Sequence, residues 1–353
     1  MTLTFGLAIF AILIGISVGI TLQRGRACTN TAFRNFLLFK NNELITFVII
    51  AVSVQIIGYY FLYTLSIPNF EFIANPISFS YIFIPLGGFI FGLGTVVAGG
   101  CAGGICYRVG EGSGASLLGF FGFATGIVII ASSPLTDPID NFRGDTNLQI
   151  NNETPSLTHI MPRSIWALLA VVILIYTSIT YYKKVNLNQI KLTHLLKSWN
   201  PVLTGLSLGV LGVIARYSSA LAGRNFGLST TDGIHEIYKA VFLFEQIGWI
   251  GVFILGLIIG SLISAVRGNE FKISIPSSHE FIRFYGGGIM LGTGAMLGYG
   301  CNFGHIFGGI PELGLSSVFA LLFMLIGNRV GSYLFYIKYN QEIPTSSPIS
   351  IRN

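Results

Sequence analysis

Long stretches without a charged side chain constrain this chain more than any other feature of its sequence. Residues 72–107, for example, contain no Asp, Glu, Lys or Arg. A helix that crosses the roughly 30 Å hydrocarbon core of a membrane needs about 20 mostly apolar residues. Apolar segments that approach or exceed this length recur along the chain, at 5–23, 44–66, 80–98, 114–133, 163–182, 201–220, 246–266, 284–298 and 315–337. The sequence therefore predicts an all-α, polytopic membrane protein with about nine transmembrane helices.

The overall composition excludes most soluble classes of protein. Only 10% of the residues are charged, 52% are hydrophobic and the mean hydropathy is +0.72, whereas a soluble domain carries roughly 25% charged residues. A cytosolic globular enzyme and a disordered chain are therefore both excluded. The net charge of +6 does not indicate nucleic-acid binding, because the basic residues lie in short loops between apolar segments.

These basic residues also predict an orientation in the membrane. With nine crossings and the N-terminus outside, the inward loops and the C-terminal tail hold 14 Lys and Arg residues, against 4 in the outward loops. Cytoplasmic loops of membrane proteins are enriched in Lys and Arg. We therefore expect a bacterial inner-membrane protein with its N-terminus outside and its C-terminus in the cytoplasm. The acidic, proline-containing segment 134–162 is expected to be an external loop.

An internal repeat divides the chain. Seven residues recur at an offset of 200, namely Gly87, Gly88, Gly92, Gly94, Gly100, Cys101 and Gly104, matched by Gly287, Gly288, Gly292, Gly294, Gly300, Cys301 and Gly304. We assign residues 1–134 and 201–353 to two membrane units, the second with a short C-terminal tail. Residues 135–200 then hold the external loop, a linking helix and a basic inner loop. Five crossings separate equivalent points, so the second unit is inverted, an arrangement typical of transporters and channels.

The two Gly-Cys segments fall where a membrane span should end. Glycines allow sharp turns, and non-helical backbone at membrane depth is tolerated only inside protein or along a wet path. We expect each segment to re-enter the membrane and continue as a short half-helix, with Cys101 entering from inside and Cys301 from outside. The alternative, in which the glycines only let helices pack closely, does not predict matched cysteines. The loop glycines expected near a substrate are Gly100, Gly104, Gly300 and Gly304.

Thiols on such a path would suit an anion that itself contains soft sulfur, because a thiol is polarisable and a weak donor. The alternative is a buried apolar cysteine. That is our interpretation of Cys106, which on a helix would point about 140° away from Cys101. Four cysteines are too few and too scattered for a disulfide framework or a zinc site, and no metal or cofactor motif is present.

Cys28 and several polar residues complete the candidate path. Cys28 follows the first span, and the segment 216–220 is a weak match for it, with Ala220 in place of the cysteine. Arg108 and Glu111 are candidates to pair with each other at the inner loop, where a purely structural ion pair is the alternative. The remaining supporting candidates are Arg24, Arg26, Asn302 and His305.

The paired Gly-Cys segments, with Arg108-Val-Gly110-Glu111-Gly112 and the segment 315–317, make the chain resemble the YeeE/YedE sulphur-transport family. The resemblance spans residues 26 to about 331. It implies a thiosulfate transporter with an hourglass-shaped interior, in which Cys301, Cys101 and Cys28 pass the anion from the outer to the inner side by thiol hydrogen bonds. It also implies a small cytoplasmic TusA-like sulfur-carrier protein as partner.

The predicted function is thus uptake of thiosulfate or a similar sulfur anion across a lipid bilayer, without enzymatic activity or a cofactor. Two alternatives remain. A membrane thiol oxidoreductase or sulfurtransferase would favour a C-x-x-C pair, which the sequence lacks. An aquaporin-like or formate-channel-like pore would share the inverted repeats but would not need aligned cysteines.

Overall fold

The computed structural model describes residues 4–39, 42–65, 77–134, 136–150, 153–184 and 199–338. Most of the basic inner loop (185–198) and the C-terminal tail from 339 onward lie outside the described residues, so the predictions that concern them are not tested.

The described chain is almost entirely helical. Its helices are α1 (Phe5–Arg24), α2 (Thr29–Phe39), α3 (Glu43–Thr64), α4 (Phe83–Val97), α5 (Ala102–Gly110), α6 (Gly114–Ala131), α7 (Thr136–Asp145), α8 (Arg163–Lys184), α9 (Pro201–Leu221), α10 (Thr230–Phe242), α11 (Trp249–Arg267), α12 (Ser278–Leu297), α13 (Asn302–Gly304) and α14 (Leu315–Ser332). Single π-helical turns extend α13 over His305–Gly309 and α14 over Tyr333–Lys338. Two short strands, β1 (Phe79–Ser80) and β2 (Asn147–Leu148), pair antiparallel.

Eight helical segments within the described residues are long and apolar enough to cross a membrane. The prediction of an all-α polytopic membrane protein is therefore confirmed, and one of the nine predicted spans is not among these eight. The predicted span 284–298 lies in α12, which begins at Ser278 and carries Glu280 and Arg283 in its first turns. Ser277 and Glu280 form a capping box there, which explains the earlier start of the helix.

The same order of elements occurs twice along the chain. Helices α1–α6 are, in order, long, short, long, long, short and long, and α9–α14 follow the same order. The helix contacts also come in matching pairs. Helix α1 packs on α11 as α3 packs on α9, and α6 packs on α12 as α14 packs on α4. Helix α8 stands apart from these two sets and packs mainly on α3.

Some repeated glycines serve helix packing. A Cβ atom added at Gly94 of α4 would lie 2.9 Å from the backbone nitrogen of Leu291 in α12. One added at Gly87 would lie 2.6 Å from the Cα atom of Gly298. Both distances are too short for real contacts, so only glycine lets the α4 and α12 backbones approach this closely. Close packing, which was the alternative interpretation, therefore accounts for these repeated positions outside the Gly-Cys segments.

Candidate functional site

Two thiols meet at the first Gly-Cys segment. The sulfur atoms of Cys28 and Cys101 are 3.6 Å apart, and each residue is 1% exposed. Cys101 is the N-cap of α5, and its sulfur accepts the backbone N–H of Gly104 at 3.2 Å, a role usually taken by Ser, Thr, Asp or Asn. Gly99 adopts a φ of +67°, which lets the chain reverse between α4 and α5. Cys28 immediately precedes α2.

Gly104 leaves the space that these two thiols occupy. A Cβ atom added there would lie 2.8 Å from Cys28 Sγ and 3.0 Å from Cys101 Sγ. Any larger residue would push the sulfur atoms aside. The backbone of Gly104, which was predicted to lie in a loop and is found in the first turn of α5, thus lies directly against both thiols. Gly100 is also in this segment and faces the side chain of Arg108.

The second Gly-Cys segment repeats the cap but pairs its thiol with a hydroxyl. Cys301 is the N-cap of α13, and its sulfur accepts the backbone N–H of Gly304 at 3.4 Å. Thr230 Oγ1 in the first turn of α10 lies 2.9 Å from Cys301 Sγ. Cys301 and Thr230 are completely buried.

An unusual backbone conformation precedes Cys301. Tyr299 has a φ of +63°, a region that residues other than glycine rarely adopt. Its hydroxyl donates to Asn147 Oδ1 at 3.0 Å, and the guanidinium of Arg143 lies 4.7 Å from its ring centre. Arg143 also donates to the carbonyl oxygen of Met296 at the end of α12. The segment 136–148 therefore holds the turn that leads into Cys301.

Asn302 joins the two thiol clusters. Its side-chain amide donates to the hydroxyl of Thr29, which lies next to Cys28 in the chain. A Cβ atom added at Gly103 of α5 would lie 2.9 Å from the ring of Phe303 in α13, so the two half-helices also touch directly. The structure thus brings Cys28 and Cys101 into contact and places Cys301 in a neighbouring cluster.

Cys106 lies on α5 and is fully buried. Its assignment as a structural cysteine stays a prediction.

His305 holds the second half-helix in place. Its Nε2 lies 3.1 Å from the carbonyl oxygen of Gly298, and its Nδ1 lies 3.1 Å from the hydroxyl of Ser317. A carbonyl oxygen only accepts, so Nε2 carries a hydrogen and Nδ1 can accept from Ser317. This arrangement suits a neutral imidazole that ties α13 to the loop before it and to α14.

A polar cluster lies at the end of α1, next to the turn that leads to Cys28. Arg26 makes ion pairs with Glu111 at 2.9 Å and Glu270 at 3.2 Å. Gln23 donates to the same two carboxylates at 3.2 and 2.6 Å. Arg24 donates to the carbonyl oxygen of Ser264 at 2.6 Å. Burial raises the pKa of Glu111 above its ordinary value, against the opposing effect of Arg26.

The predicted partner of Glu111 was Arg108, but in the structure Glu111 forms its ion pair with Arg26. The guanidinium of Arg108 donates instead to the carbonyl oxygen of Gly99 at 2.8 Å. Arg26 approaches Glu111 from the turn after α1, while the Arg108 side chain turns back towards the start of its own segment.

Sequence reasoning missed several buried polar residues of this region. Thr29 and Thr230 were not singled out, although each stands in the first turn of a short helix. Ser229 immediately precedes α10, as Cys28 immediately precedes α2. The match of Cys28 with Ala220 was therefore wrong, because Ala220 lies in the last turn of α9. The buried ion pair of Arg216 and Glu312, at 2.6 Å, was also missed.

No group of three or more His, Cys, Asp or Glu residues that could hold a metal ion occurs in the part of the chain that the structure describes.

Comparison with known proteins gives a family match and several similar proteins, two of which align over nearly the whole chain. The sulphur transport family matches residues 24–330. The chain is 30% identical over 348 residues to the thiosulfate transporter TsuA of Escherichia coli, an alignment that covers 95% of this chain and 96% of that protein. It is 28% identical over 334 residues to the thiosulfate transporter TsuA of Spirochaeta thermophila, covering 92% of this chain and 98% of that protein.

Proposed function

This chain belongs to the sulphur transport family, and from that premise we propose that it is a multi-pass membrane transporter that carries thiosulfate inward past Cys301, Cys101 and Cys28. The two similar proteins over nearly the whole chain are both thiosulfate transporters. The observation that carries the thiol path is the contact of Cys28 and Cys101, whose sulfur atoms are 3.6 Å apart in the buried interior.

The chemistry of the site suits a dianion with one terminal sulfur. The first turns of α2 and α5 lie against these thiols, and the N-terminal end of a helix carries a partial positive charge that favours anions. The thiols of Cys28 and Cys101 can donate weak hydrogen bonds to sulfur or oxygen without adding a fixed charge. An anion could therefore be stabilised here and still leave, as transport requires.

The order of the path follows from the contacts between the clusters. Cys301 lies with α10 and α13, and Asn302 connects this cluster to Thr29 beside Cys28 and Cys101. An anion that leaves Cys301 would meet Asn302 and then the pair of thiols. The backbone of Gly100, Gly104, Gly300 and Gly304 would lie along this route, with Gly104 in direct contact with both thiols.

We further propose that α1–α6 and α9–α14 are the two inverted repeats. The exchange of contacts supports this proposal, because a two-fold axis that interchanges the units converts the α1–α11 contact into the α9–α3 contact. It likewise converts the α6–α12 contact into the α14–α4 contact. An inverted repeat requires an odd number of crossings between equivalent points, and α8 supplies the additional one.

The orientation that we propose places the N-terminus outside the bacterial inner membrane and the C-terminus in the cytoplasm. The cluster of Arg26, Glu111 and Glu270 then faces inward, and the segment 136–148 faces outward. Helix α12 separates the two ends, since it starts near Lys272 and ends against Arg143.

Labelling of introduced cysteines tests this orientation. Asp145 and Lys272 are both exposed, whereas the four native cysteines are buried. We expect a membrane-impermeant maleimide to label Asp145→Cys in intact cells and Lys272→Cys only after permeabilisation. The unmodified chain serves as the control for background labelling, and the opposite pattern would invert the topology.

Energetics limits how uptake can occur. Moving one negative charge inward against an inside-negative potential costs about 2.3 kcal/mol per 100 mV. Thiosulfate carries two negative charges, so the cost is doubled. Uptake therefore needs a coupling ion or rapid consumption of the sulfur inside the cell. We propose that a small cytoplasmic TusA-like sulfur-carrier protein supplies the second route.

The function is tested by uptake of thiosulfate labelled with a sulfur isotope. We expect a sulfur-auxotrophic cell to grow on thiosulfate as its sole sulfur source only when it produces this chain, and such cells to accumulate label in their interior. Equal growth without the chain contradicts the proposal. A pore would pass small solutes that lack sulfur, and a thiol enzyme would leave a persulfide or disulfide on its cysteines, which intact-mass measurement after turnover detects.

A further inference from the structure

We propose that Ser229 is a fourth position on the substrate path, as the hydroxyl counterpart of Cys28, so that the path consists of a hydroxyl-rich outer half-site and a thiol-rich inner half-site. The outer half-site is defined by Ser229, Thr230 and Cys301, and the inner one by Cys28, Thr29 and Cys101. This inference rests on the proposed function and adds the basis of selectivity at the same path.

The surroundings of two matching glycines support the equivalence. A Cβ atom at Gly104 would meet the sulfur atoms of Cys28 and Cys101 at 2.8 and 3.0 Å. A Cβ atom at Gly304 would meet Ser229 Oγ at 3.5 Å and Cys301 Sγ at 3.8 Å. The first turn of each half-helix thus contains a glycine that faces two residues. One is the cysteine that caps the same half-helix, and the other is the residue immediately before α2 or α10. That second residue is a cysteine in one unit and a serine in the other.

The neighbouring threonines follow the same pattern. Thr29 follows Cys28 and accepts a hydrogen bond from the side-chain amide of Asn302, and Thr230 follows Ser229 and lies 2.9 Å from Cys301. Thr29 and Thr230 are the first residues of α2 and α10. The two half-sites are therefore built from the same positions and differ in chemistry at the residue before each threonine.

Unsatisfied polar atoms distinguish the outer half-site. The hydroxyl of Thr231 in the first turn of α10 and Oδ1 of Asn302 have no hydrogen-bond partner among the described residues. Thr231 is 2% exposed and Asn302 is 1% exposed. A buried polar group without a partner costs free energy, so the Thr231 hydroxyl, which can donate, favours a ligand with acceptor atoms in this half-site. Asn302 Oδ1 only accepts and is not satisfied by an anion.

The difference in chemistry matches an asymmetric substrate. The oxygen atoms of a sulfur oxyanion accept strong hydrogen bonds from hydroxyls, whereas a terminal sulfur is better matched by soft, weakly donating thiols. The outer half-site offers the hydroxyls of Ser229 and Thr230 with one thiol, so it captures the oxygen end. The inner half-site offers two thiols, so it selects for the terminal sulfur. The class of substrate is therefore an oxyanion with at least one terminal sulfur.

Variants of Ser229 test this assignment through the kinetics of thiosulfate uptake in cells that produce the full chain. We expect Ser229→Ala to raise KM about tenfold, because a hydrogen bond to a charged group is lost. Ser229→Cys retains a donor, and its KM should stay within about threefold of the original. Ser229→Asp keeps a good helix cap but sets a carboxylate against a dianion, so its uptake should fall below that of the alanine variant.

The helix cap provides the necessary control. Ser229 accepts the backbone N–H of Asp232 at 3.4 Å, and a lost N-cap typically costs about 1 kcal/mol of stability. Ser277 is also a serine N-cap, on α12 and away from the thiols, so Ser277→Ala should lower the melting temperature without changing KM. The amount of each variant in the membrane is measured by immunoblot, and uptake is expressed per amount of protein.

The outcomes separate the two proposals. If the unmodified chain does not take up thiosulfate, the proposed function fails. If it does, an unchanged KM in Ser229→Ala, or full uptake by Ser229→Asp, overturns the assignment of Ser229 and leaves the transport function intact.

Discussion

Replacement of Cys101 with alanine is expected to reduce thiosulfate uptake by about a hundredfold, which is close to abolition. Cys101 contacts Cys28 and lies nearest the middle of the proposed path, so its replacement removes one of the two adjacent thiols of the inner half-site. Loss of an interaction with a charged group costs about 1.5–3 kcal/mol, and 2.7 kcal/mol corresponds to roughly a hundredfold. The measurement is the initial rate of labelled thiosulfate uptake, normalised to the amount of protein in the membrane.

Two other cysteines provide the matched comparison. Cys301→Ala should be as inactive as Cys101→Ala, whereas Cys106→Ala should retain nearly full uptake. All three side chains are buried, so general damage to the core should affect them similarly. Normal uptake in both Cys101→Ala and Cys301→Ala refutes the thiol path, and an inactive Cys106→Ala variant shows that this cysteine also belongs to it.

The largest expected change in stability comes from Arg216. Its Nε lies 2.6 Å from Glu312 Oε1, and the two side chains are 0% and 1% exposed. In Arg216→Met the carboxylate of Glu312 would be left buried without its cation. Removal of one partner from a buried ion pair typically costs about 3–5 kcal/mol. We expect a clearly lower thermal unfolding midpoint in detergent and less folded protein in the membrane.

The double variant separates the charge from the packing. In Arg216→Met with Glu312→Gln, neither partner is charged, so most of the lost stability should return. If the single variant unfolds at the original temperature, the pair does not stabilise the fold. If the double variant is stable but does not transport, the two charges also serve uptake.

The fold was largely predictable from the sequence because membrane spans leave a strong local signal. About 20 apolar residues in a row identify a span without any knowledge of its neighbours. The prediction was weaker where a helix carries charge. Helix α12 begins with Ser278 and includes Glu280 and Arg283, so the sequence predicted a shorter span that starts only at residue 284.

The candidate site was predictable only in part. The Gly-Cys segments of Cys101 and Cys301 were found because they repeat at a fixed offset in the sequence. Their partners could not be found in this way. Arg216 meets Glu312 across 96 residues, and no local pattern specifies such a pairing.

The correspondence of Ser229 with Cys28 leaves only a weak trace in the sequence, because their offset of 201 differs by one residue from that of the Gly-Cys segments. The two residues differ in identity, and the spacing between each of them and the following long helix is not the same in the two units. A shared contact with a glycine of the half-helix defines their equivalence, and that contact exists only in three dimensions.

The peripheral position of α8 has a consequence for how such a protein can arise from two similar halves. Helix α8 packs mainly on α3, and most of its large apolar side chains are exposed, so it adds little to the interior. In the topology that we propose, its single crossing sets the direction in which the second half enters the membrane. Two halves joined without it would insert in the same sense, and α3 could not meet α9 as α1 meets α11. A duplication of the ancestral half would therefore need one extra, lipid-facing helix before the two copies could close around a common interior.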